Sequence, residues 1–185
     1  TRRQGHPFCN NANSAIRREL WEQRPYDETL PALEDLAWAR WAFEGGLTVA
    51  YSAEAEIIHV HNETWQGVYN RYRREGMAFK QIYPQETFRW YDLWRLVAGN
   101  VFTDWREAAR QRVLGRHWLD ILRFRWNQFR GTYHGYQQSG PLSWKLKQAF
   151  YYPRSLAAAG PQAARSGVRP IAYSEPPVGG EKEQA

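Results

Sequence analysis

Hydrophobic and polar residues follow two different patterns along the chain, and the change falls near residue 63. Before it, short runs rich in β-branched and apolar residues at Leu47–Tyr51 and Glu54–Val60 predict two strands. They follow a helical pattern at Leu33–Glu44, which a pair of glycines ends. This mixture of a helix and short strands predicts an α/β architecture for residues 1–63.

After residue 63 the apolar residues recur at helical spacing. A helix is predicted at Thr64–Tyr83, with Thr64 as its N-cap and Pro84 as its stop. A shorter helix is predicted at Phe88–Asn100 and a long one at Asp104–Tyr133. The long helix carries an apolar seam for packing against other helices. The seam residues are Leu119, Leu122, Trp126, Phe129 and Tyr133.

These patterns divide the chain into three parts. Residues 1–63 are the α/β part, residues 64–152 are a mainly α-helical extension, and residues 153–185 form a tail. The tail is dominated by Ala, Gly, Pro, Ser and Gln, which predicts disorder. Because the chain begins at Thr1 and its only methionine is Met77, we expect it to be a piece of a longer protein.

Charge separates the same parts. The chain carries a net charge of +6, but residues 1–63 hold 6 basic against 10 acidic residues, whereas residues 64–130 hold 13 against 6. The basic helical part therefore predicts an anionic partner. The helical part also contains many tryptophans. These indicate either a helical core or a face that binds a membrane surface, where arginines would contact the lipid phosphates. No run of 18 apolar residues predicts a membrane span.

Two adjacent carboxylates, Glu34 and Asp35, open the predicted helix. Acidic residues in a first turn commonly just complement the helix dipole. The functional alternative is that Asp35 serves as a general base facing a cleft. Adjacent residues point 100° apart on a helix, so Glu34 falls on the face of the helix tryptophans and Asp35 on a face of small alanines with room for a ligand.

His59 and His61 lie two residues apart in a predicted strand and so leave it on one face. Such a pair can bind one metal ion, but a histidine at a strand end can equally cap a carbonyl group. A zinc site that adds His6 and Cys9 is a weaker alternative. Cys9 is otherwise expected to be a small buried residue, and as the only cysteine it excludes an intramolecular disulfide.

Five runs resemble, in order and spacing, the acceptor-side half of family 2 glycosyltransferases of the GT-A fold. The resemblance covers about residues 5–80. The runs are NNANSAIRRELWE at 10–22, PYDE at 25–28, EDLAWA at 34–39, GGLTVAY at 45–51 and HVH at 59–61. The resemblance implies a partial GT-A catalytic domain of the nucleotide-diphospho-sugar transferase type, followed by the helical extension.

The resemblance also implies roles for individual residues. Asp35 would be the catalytic base of an inverting transfer, and Glu34 would position the acceptor or its loop. His61, or else His59, would contact a Mg²⁺ or Mn²⁺ ion or the donor diphosphate. The Asp-x-Asp motif usual for that ion is absent, so its remaining ligands are expected in the missing N-terminal half.

Four further residues are candidate substrate contacts. Asn11 and Asn13 belong to a segment that borders the donor and acceptor cleft in the family, although turn and capping chemistry also explains them. Arg73 and Arg74 follow the histidine pair and would contact a diphosphate or an anionic acceptor, unless they form a solvated helix face.

The sequence therefore predicts a hexosyltransferase-type enzyme, with this piece inactive by itself. Its partners would be a nucleotide-sugar donor and a glycan or lipid-linked acceptor of cell-envelope synthesis, and no nucleic acid is expected. A cytoplasmic location follows, with contact to the inner face of the membrane as a further hypothesis. The alternative is a basic, aromatic-rich binding module for nucleic acid or an anionic membrane surface.

Overall fold

The computed structural model describes residues 2–3, 7–58, 63–138, 146 and 150. In this part of the chain helices dominate. The five α-helices are α1 (Arg18–Gln23), α2 (Glu34–Glu44), α3 (Trp65–Ile82), α4 (Trp90–Arg110) and α5 (Leu114–Tyr136). Two strands of two residues each, β1 (Arg2–Arg3) and β2 (Ala50–Tyr51), pair antiparallel.

The predicted α/β class is therefore wrong for the described residues, and no GT-A-like sheet is present among them. Of the predicted strand Leu47–Tyr51, only Ala50 and Tyr51 pair with another strand. Residues 54–58, the described part of the second predicted strand, form no strand, and Ile57 and Ile58 are exposed. β-Branched residues favour strands only where neighbouring strands and a packed face support them, and both are lacking here.

Helix α2 ends as its glycines predict. Gly46 has a left-handed backbone with φ of 78°. The Leu47 N–H donates to the Ala42 carbonyl at 2.9 Å, and the Gly46 N–H donates to the Phe43 carbonyl at 3.0 Å. These two bonds define a Schellman motif, in which a residue without a Cβ enters the left-handed region at little cost.

Helix α4 ends with the same motif but without a glycine. Arg112 has φ of 61°, and the Val113 N–H donates to the Ala108 carbonyl at 2.9 Å. The predicted break near residues 101–103 is therefore wrong. Helix α4 runs through them to Arg110, and α5 begins only at Leu114.

The helix predicted at Thr64–Tyr83 is confirmed within one residue at each end. The Thr64 hydroxyl oxygen accepts a hydrogen bond from the Gly67 N–H at 3.1 Å, which makes Thr64 the N-cap. The helix ends at Ile82, just before Pro84. Both helix ends could be predicted from the sequence because an N-cap side chain and a proline affect only the neighbouring residues.

Helix α5 lies between α3 and α4. Its apolar seam packs against Leu93, Val97 and Val101 of α4, as predicted. Four seam residues, Leu122, Trp126, Phe129 and Tyr133, take part. The opposite face of α5 carries Gly131 and Gly135, which contact α3.

The α3–α5 contact is close because glycines line it. A Cβ on Gly131 would lie 2.5 Å from the Tyr69 carbonyl oxygen, and one on Gly76 would lie 2.8 Å from the Thr132 carbonyl oxygen. A Cβ on Gly135 would overlap the Arg73 carbonyl oxygen. The two backbones can therefore approach only because these positions lack side chains, as in small-residue helix packing generally.

Residues 7–58 rest on α3. The Arg40 guanidinium donates to the Ile82 carbonyl and lies 4.6 Å above the centre of the Tyr83 ring. Trp38, which lies on α2 like Arg40, is buried, and its indole N–H donates to the Arg24 carbonyl at 2.7 Å. The predicted tail, residues 153–185, lies outside the described residues.

Candidate functional site

The Asp35 carboxylate is held by two backbone N–H groups at the start of α2. The Asn11 N–H donates to Asp35 Oδ2 at 2.7 Å, and the Leu36 N–H donates to Asp35 Oδ1 at 2.7 Å. Asn11 lies 24 residues before Asp35, so this bond is tertiary. Each carboxylate oxygen keeps a second lone pair, which leaves Asp35 able to accept a further proton or hydrogen bond.

Backbone strain lies next to this carboxylate. Leu33, the N-cap of α2, has a left-handed backbone with φ of 59° and makes no side-chain cap. A left-handed conformation costs a residue with a Cβ about 1–2 kcal/mol. Strain of this kind is concentrated at functional sites, and here it sets the direction in which the chain enters the first turn with Glu34 and Asp35.

The loop that binds Asp35 is itself ordered by asparagines. Residues 11–13 form a 3₁₀ turn, and the Asn10 side chain caps it by accepting from the Ala12 N–H at 2.9 Å. The Tyr26 hydroxyl donates to Asn11 Oδ1 at 2.7 Å, and the Asn13 side-chain amide donates to the Ala55 carbonyl. The capping interpretation of these asparagines is thus correct for Asn10, whereas Asn11 joins the turn to Tyr26 and Asp35.

Two further ionisable groups surround Asp35. Burial raises the pKa of the Cys9 thiol, and the nearby Asp35 charge raises it further, against a hydrogen bond with Ser14. Burial also raises the pKa of Tyr26, with contributions from Cys9 and Asp35. Both groups are therefore neutral at pH 7 and can serve near Asp35 only as hydrogen-bonding groups.

An apolar groove of about 600 Å³ adjoins the Asp35 loop. Volumes of this size accommodate small ligands, and an apolar lining with few polar groups is usual for such sites. The groove is formed by the loop before Cys9, the start of α2, α3 and the end of α5. Its lining residues are Pro7, Phe8, Leu33, Leu36, Glu75, Gly76, Phe79, Tyr83, Phe88, Thr132 and Tyr136.

Glu75 is the one acidic residue in the lining of this groove. Burial raises its pKa, while the guanidinium groups of Arg71 and Arg74 lower it. Asp35 is close enough to raise the pKa of Glu75 electrostatically. Burial also raises the pKa of Tyr136, at the other side of the groove, to about 12. The lining of the groove is therefore mainly apolar, and its hydrogen-bonding side chains are Glu75, Tyr83, Thr132 and Tyr136.

The faces predicted for the carboxylate pair need one correction. Ala39 and Ala42 were expected to leave room for a ligand, but both are buried. The room lies instead along Leu33 and Leu36. Glu34 is half-buried in the first turn of α2, and its charge acts on Tyr26.

The two predicted arginine contacts lie on α3 and differ in their surroundings. The Arg73 guanidinium points to α5, where Nη2 donates to Gln138 Oε1 at 2.7 Å, and it lies 5.9 Å from the Phe150 ring centre. Arg74 acts electrostatically on Glu75 in the groove. Of the two arginines, Arg74 is therefore the one that interacts with an acidic residue of the groove.

The histidine pair is not placed, because His59 and His61 lie outside the described residues. In the described part of the chain, no group of three His, Cys, Asp or Glu side chains could hold a metal ion. The expected Mg²⁺ or Mn²⁺ ion therefore stays a prediction, and no step of a mechanism is derived through it.

The sequence reasoning missed the roles of Tyr26 and Glu75. Tyr26 stands inside one of the five quoted runs, so its place in that run was an available signal. Glu75 lies directly after the arginines of α3 and was indistinguishable from an ordinary solvated charge. Only the packing of α2 and α5 around α3 reveals that its carboxyl is largely buried.

Comparisons with known proteins add no family to this picture. No family model, no curated protein and no solved structure matches the chain. Among the described residues, none of the helices has the length and apolar character needed to cross a membrane.

Proposed function

We propose that this chain is the acceptor-side part of an inverting glycosyltransferase of family 2, with Asp35 as the catalytic base. The observation that supports this proposal is the set of hydrogen bonds that joins Asp35, Asn11 and Tyr26. These residues come from three of the five runs on which the resemblance rests, and they are up to 24 positions apart. The Asn11 N–H bonds the Asp35 carboxylate, and the Tyr26 hydroxyl bonds the Asn11 side chain, so the three runs meet in one network.

The chemistry of the proposed step needs a base at that point. The acceptor hydroxyl attacks the anomeric carbon of a nucleoside-diphosphate sugar, and the new C–O bond forms as the bond to the diphosphate oxygen breaks. Attack on the face opposite the diphosphate inverts the configuration. Asp35 takes the hydroxyl proton, and the nucleoside diphosphate leaves with the electron pair. Positioned base catalysis of this kind contributes about 10²–10⁴-fold to a rate.

The other residues would hold the reactants. Asn11, whose side chain Tyr26 holds, fixes the Asp35 carboxylate through its backbone N–H, so that the orientation of the carboxylate is set before the acceptor arrives. The groove beside Leu33 and Leu36 would accommodate an apolar part of the acceptor, which suits a lipid-linked glycan. Glu34, Asn13, Arg73 and Arg74 remain proposed acceptor or donor contacts.

The wider setting follows from the donor. We place the reaction in the cytoplasm, at the inner face of the membrane in cell-envelope synthesis. The metal ion expected from the resemblance, with His61 or His59 as a ligand, remains a prediction for residues outside the described part. Its other ligands are expected in the donor half.

The test is Asp35→Asn in the chain extended upstream through its donor half. Release of nucleoside diphosphate is measured with a panel of UDP-, GDP- and dTDP-activated sugars and an extract of lipid-linked acceptors. We expect kcat to fall about 10²–10⁴-fold, because the amide cannot take the proton. Glu44→Gln, which changes an exposed acid at the other end of α2, is the matched control and should keep normal turnover.

A thermal unfolding curve for each variant separates loss of catalysis from loss of structure. Near-normal turnover of Asp35→Asn would exclude Asp35 as the base. Absence of turnover by the extended wild-type chain with every activated sugar would count against the transferase itself.

A further inference from the structure

The outward face of α4 exposes large aromatic side chains. Such residues are normally covered, and several together in one place mark an interaction surface. Four of them on one helix are far more exposed than a core helix would allow. Their exposed fractions are 65% for Trp90, 46% for Tyr91, 54% for Trp94 and 68% for Phe102.

Two of these side chains, Tyr91 and Phe102, form part of a stripe along the helix, whereas Trp90 falls on the side of Val97 and Val101. At 100° per residue, Tyr91, Ala98, Phe102 and Ala109 fall within about 40° of one another. Trp94 lies at the edge of this stripe, where its ring also contacts Trp126 at a centroid distance of 5.3 Å. The stripe points away from Val97, which belongs to the buried seam between α4 and α5. Helix α4 therefore has a second apolar face besides the one that packs on α5.

This face lies on the far side of the helical layers from the candidate site. Helix α5 contacts α3 through Gly131 and Gly135 and contacts α4 through Leu122 and Phe129. At 100° per residue these two sets are on opposite sides of α5. Along the middle of α4, α5 therefore lies between the outward face and α3, whereas Phe88, which precedes α4, lines the groove itself.

Positive charge surrounds the aromatic stripe. Residues 89–118 contain six arginines and three acidic residues. Each of the three acids is in an ion pair: Asp92 with Arg95 at 3.3 Å, Asp104 with Arg125 at 2.6 Å and Glu107 with Arg110 at 2.8 Å.

The arginines outnumber these paired acids. Arg106, Arg112 and Arg116 are exposed and form no ion pair within the described part of the chain. The surroundings of the stripe therefore retain an uncompensated positive charge, which complements an anionic surface.

We propose that the outward face of α4 binds the surface of an anionic lipid bilayer, with the helix lying in the plane of the headgroups. Tyr91 and Phe102 would insert at headgroup level with Trp94 at the edge, and the flanking arginines would contact lipid phosphates. Aromatic residues with arginines beside them are the usual composition of such an interfacial helix. The binding is peripheral and requires no membrane span.

Two other occupants fit this face less well. A second copy of the chain, related by a twofold axis, would bring the arginines of both copies together, and like charges in contact are unfavourable. A nucleic acid could stack on the rings, but Ala98 and Ala109 in the stripe offer its bases no hydrogen bonds. A hydrocarbon layer gains from burying the alanines and the rings together.

Flotation with lipid vesicles tests the proposal on the whole chain. One set of vesicles contains phosphatidylcholine with about a third phosphatidylglycerol, and the other contains phosphatidylcholine alone. We expect the chain to float with the anionic vesicles, to float much less with the neutral ones, and to lose binding as salt rises from about 0.1 to 1 M.

The decisive variant is Phe102→Ser. Phe102 is the most exposed of the four rings and contacts no other ring among the described residues, so its loss should leave the fold intact. We expect partitioning to weaken about tenfold, since an inserted phenyl ring contributes roughly 1.5 kcal/mol or more. Trp21→Ser removes an aromatic residue that is also exposed but lies on α1, and it should float like the wild type.

Any of four results would overturn the proposal. The chain could fail to float with either set of vesicles, or Phe102→Ser could float as well as Trp21→Ser. In the absence of flotation, sedimentation could reveal a dimer that Phe102→Ser abolishes. A labelled oligonucleotide could likewise bind the wild type and not Phe102→Ser. Circular dichroism of each variant verifies its helix content, so a misfolded variant is not mistaken for a negative result.

Discussion

Two regions of the molecule are held together in different ways. In the helical layers, residues 65–136, backbone hydrogen bonds run within each helix, and the helices meet through an apolar seam and through glycines. In residues 7–58 only α1 and α2 are helical, and the irregular parts are joined by hydrogen bonds between side chains and backbone. The first region is ordered by packing and the second by individual polar contacts.

Because the two regions are held together differently, they contribute differently to stability and to the candidate site. Packing distributes stability over many atoms, whereas a polar contact fixes a single group in one orientation. Asp35 is fixed in that second manner, by the Asn11 N–H. A change in the helical layers should therefore alter the stability of the chain, and a change among residues 7–58 should act locally on the candidate site.

The largest effect is expected from Gly135→Ala at the α3–α5 contact. The added Cβ would overlap the Arg73 carbonyl oxygen and lie 2.9 Å from the Met77 backbone nitrogen. Because both neighbours are backbone atoms, the helices must separate. We expect the free energy of unfolding to fall by about 3 kcal/mol, the upper end for overpacking. Urea unfolding monitored by circular dichroism measures it.

Gly99→Ala is the matched control. It also adds one methyl group to a helical glycine, but nothing lies within 4 Å of the new Cβ. It should raise the free energy of unfolding by about 0.5–1 kcal/mol, because alanine favours the helix. Equal changes in the two variants would show that the close α3–α5 contact does not determine stability.

A smaller and more local effect is expected from Tyr26→Phe. This change removes the hydrogen bond from the Tyr26 hydroxyl to Asn11 Oδ1, which should cost about 1 kcal/mol. Hydrogen exchange of the Asn11 amide should accelerate several-fold, because its bond to Asp35 Oδ2 then opens more often. Amides of α5 should exchange as before.

Tyr91→Phe provides the comparison for that experiment. It removes a hydroxyl that interacts with Arg89 at 3.0 Å on an exposed part of α4. Asn11 exchange should be unaffected. If Tyr26→Phe left Asn11 exchange unchanged as well, the Tyr26 contact would not order the candidate site.

The smallest effect is expected from Glu75→Gln, and it depends on pH. Burial raises the pKa of Glu75 above its ordinary value of 4.5, so the folded state retains a proton that the unfolded chain has released. Stability contributed by this group is present below pH 4.5 and is lost as pH rises through the folded pKa. Glutamine remains neutral throughout and avoids that loss.

Melting temperatures of the wild type and of Glu75→Gln between pH 4 and 8 test this sign. The variant should melt higher at pH 7–8, and the difference should vanish towards pH 4. Arg71 keeps its partner Glu63 at 2.9 Å in the variant. Glu28→Gln, at an exposed position, should show no such trend. A variant that melts lower than the wild type at pH 8 would mean that the charged carboxylate stabilises the fold.

The two Schellman ends explain which helix boundaries the sequence could predict. At the end of α2 the left-handed residue is Gly46, and glycine is the usual sign of such an end. At the end of α4 the same geometry falls on Arg112, which carries no local sign of a turn. The apolar seam of α5 was predicted correctly because its period is a property of the whole helix.

The strands and the site were harder to predict for a related reason. Whether residues 47–58 form a sheet depends on partner strands elsewhere in the chain, and within the described part Arg2–Arg3 alone pairs with Ala50–Tyr51. Asp35 and Asn11 were selected through the family resemblance, but no spacing rule connects residues 24 positions apart. Glu75 became a candidate only through burial, which a single sequence does not display.

The position of α5 also has a geometrical consequence if α4 binds a bilayer as proposed. Neighbouring helix axes are about 8–10 Å apart, so the axes of α4 and α3 would differ in height by at most about 16–20 Å when α4 lies on the lipid. Residues 7–58 would then stand clear of the headgroups by roughly that distance. An acceptor anchored in the bilayer would need a linker or a first few sugars long enough to bridge this distance. The position of α5 would then set a minimum length for the acceptor.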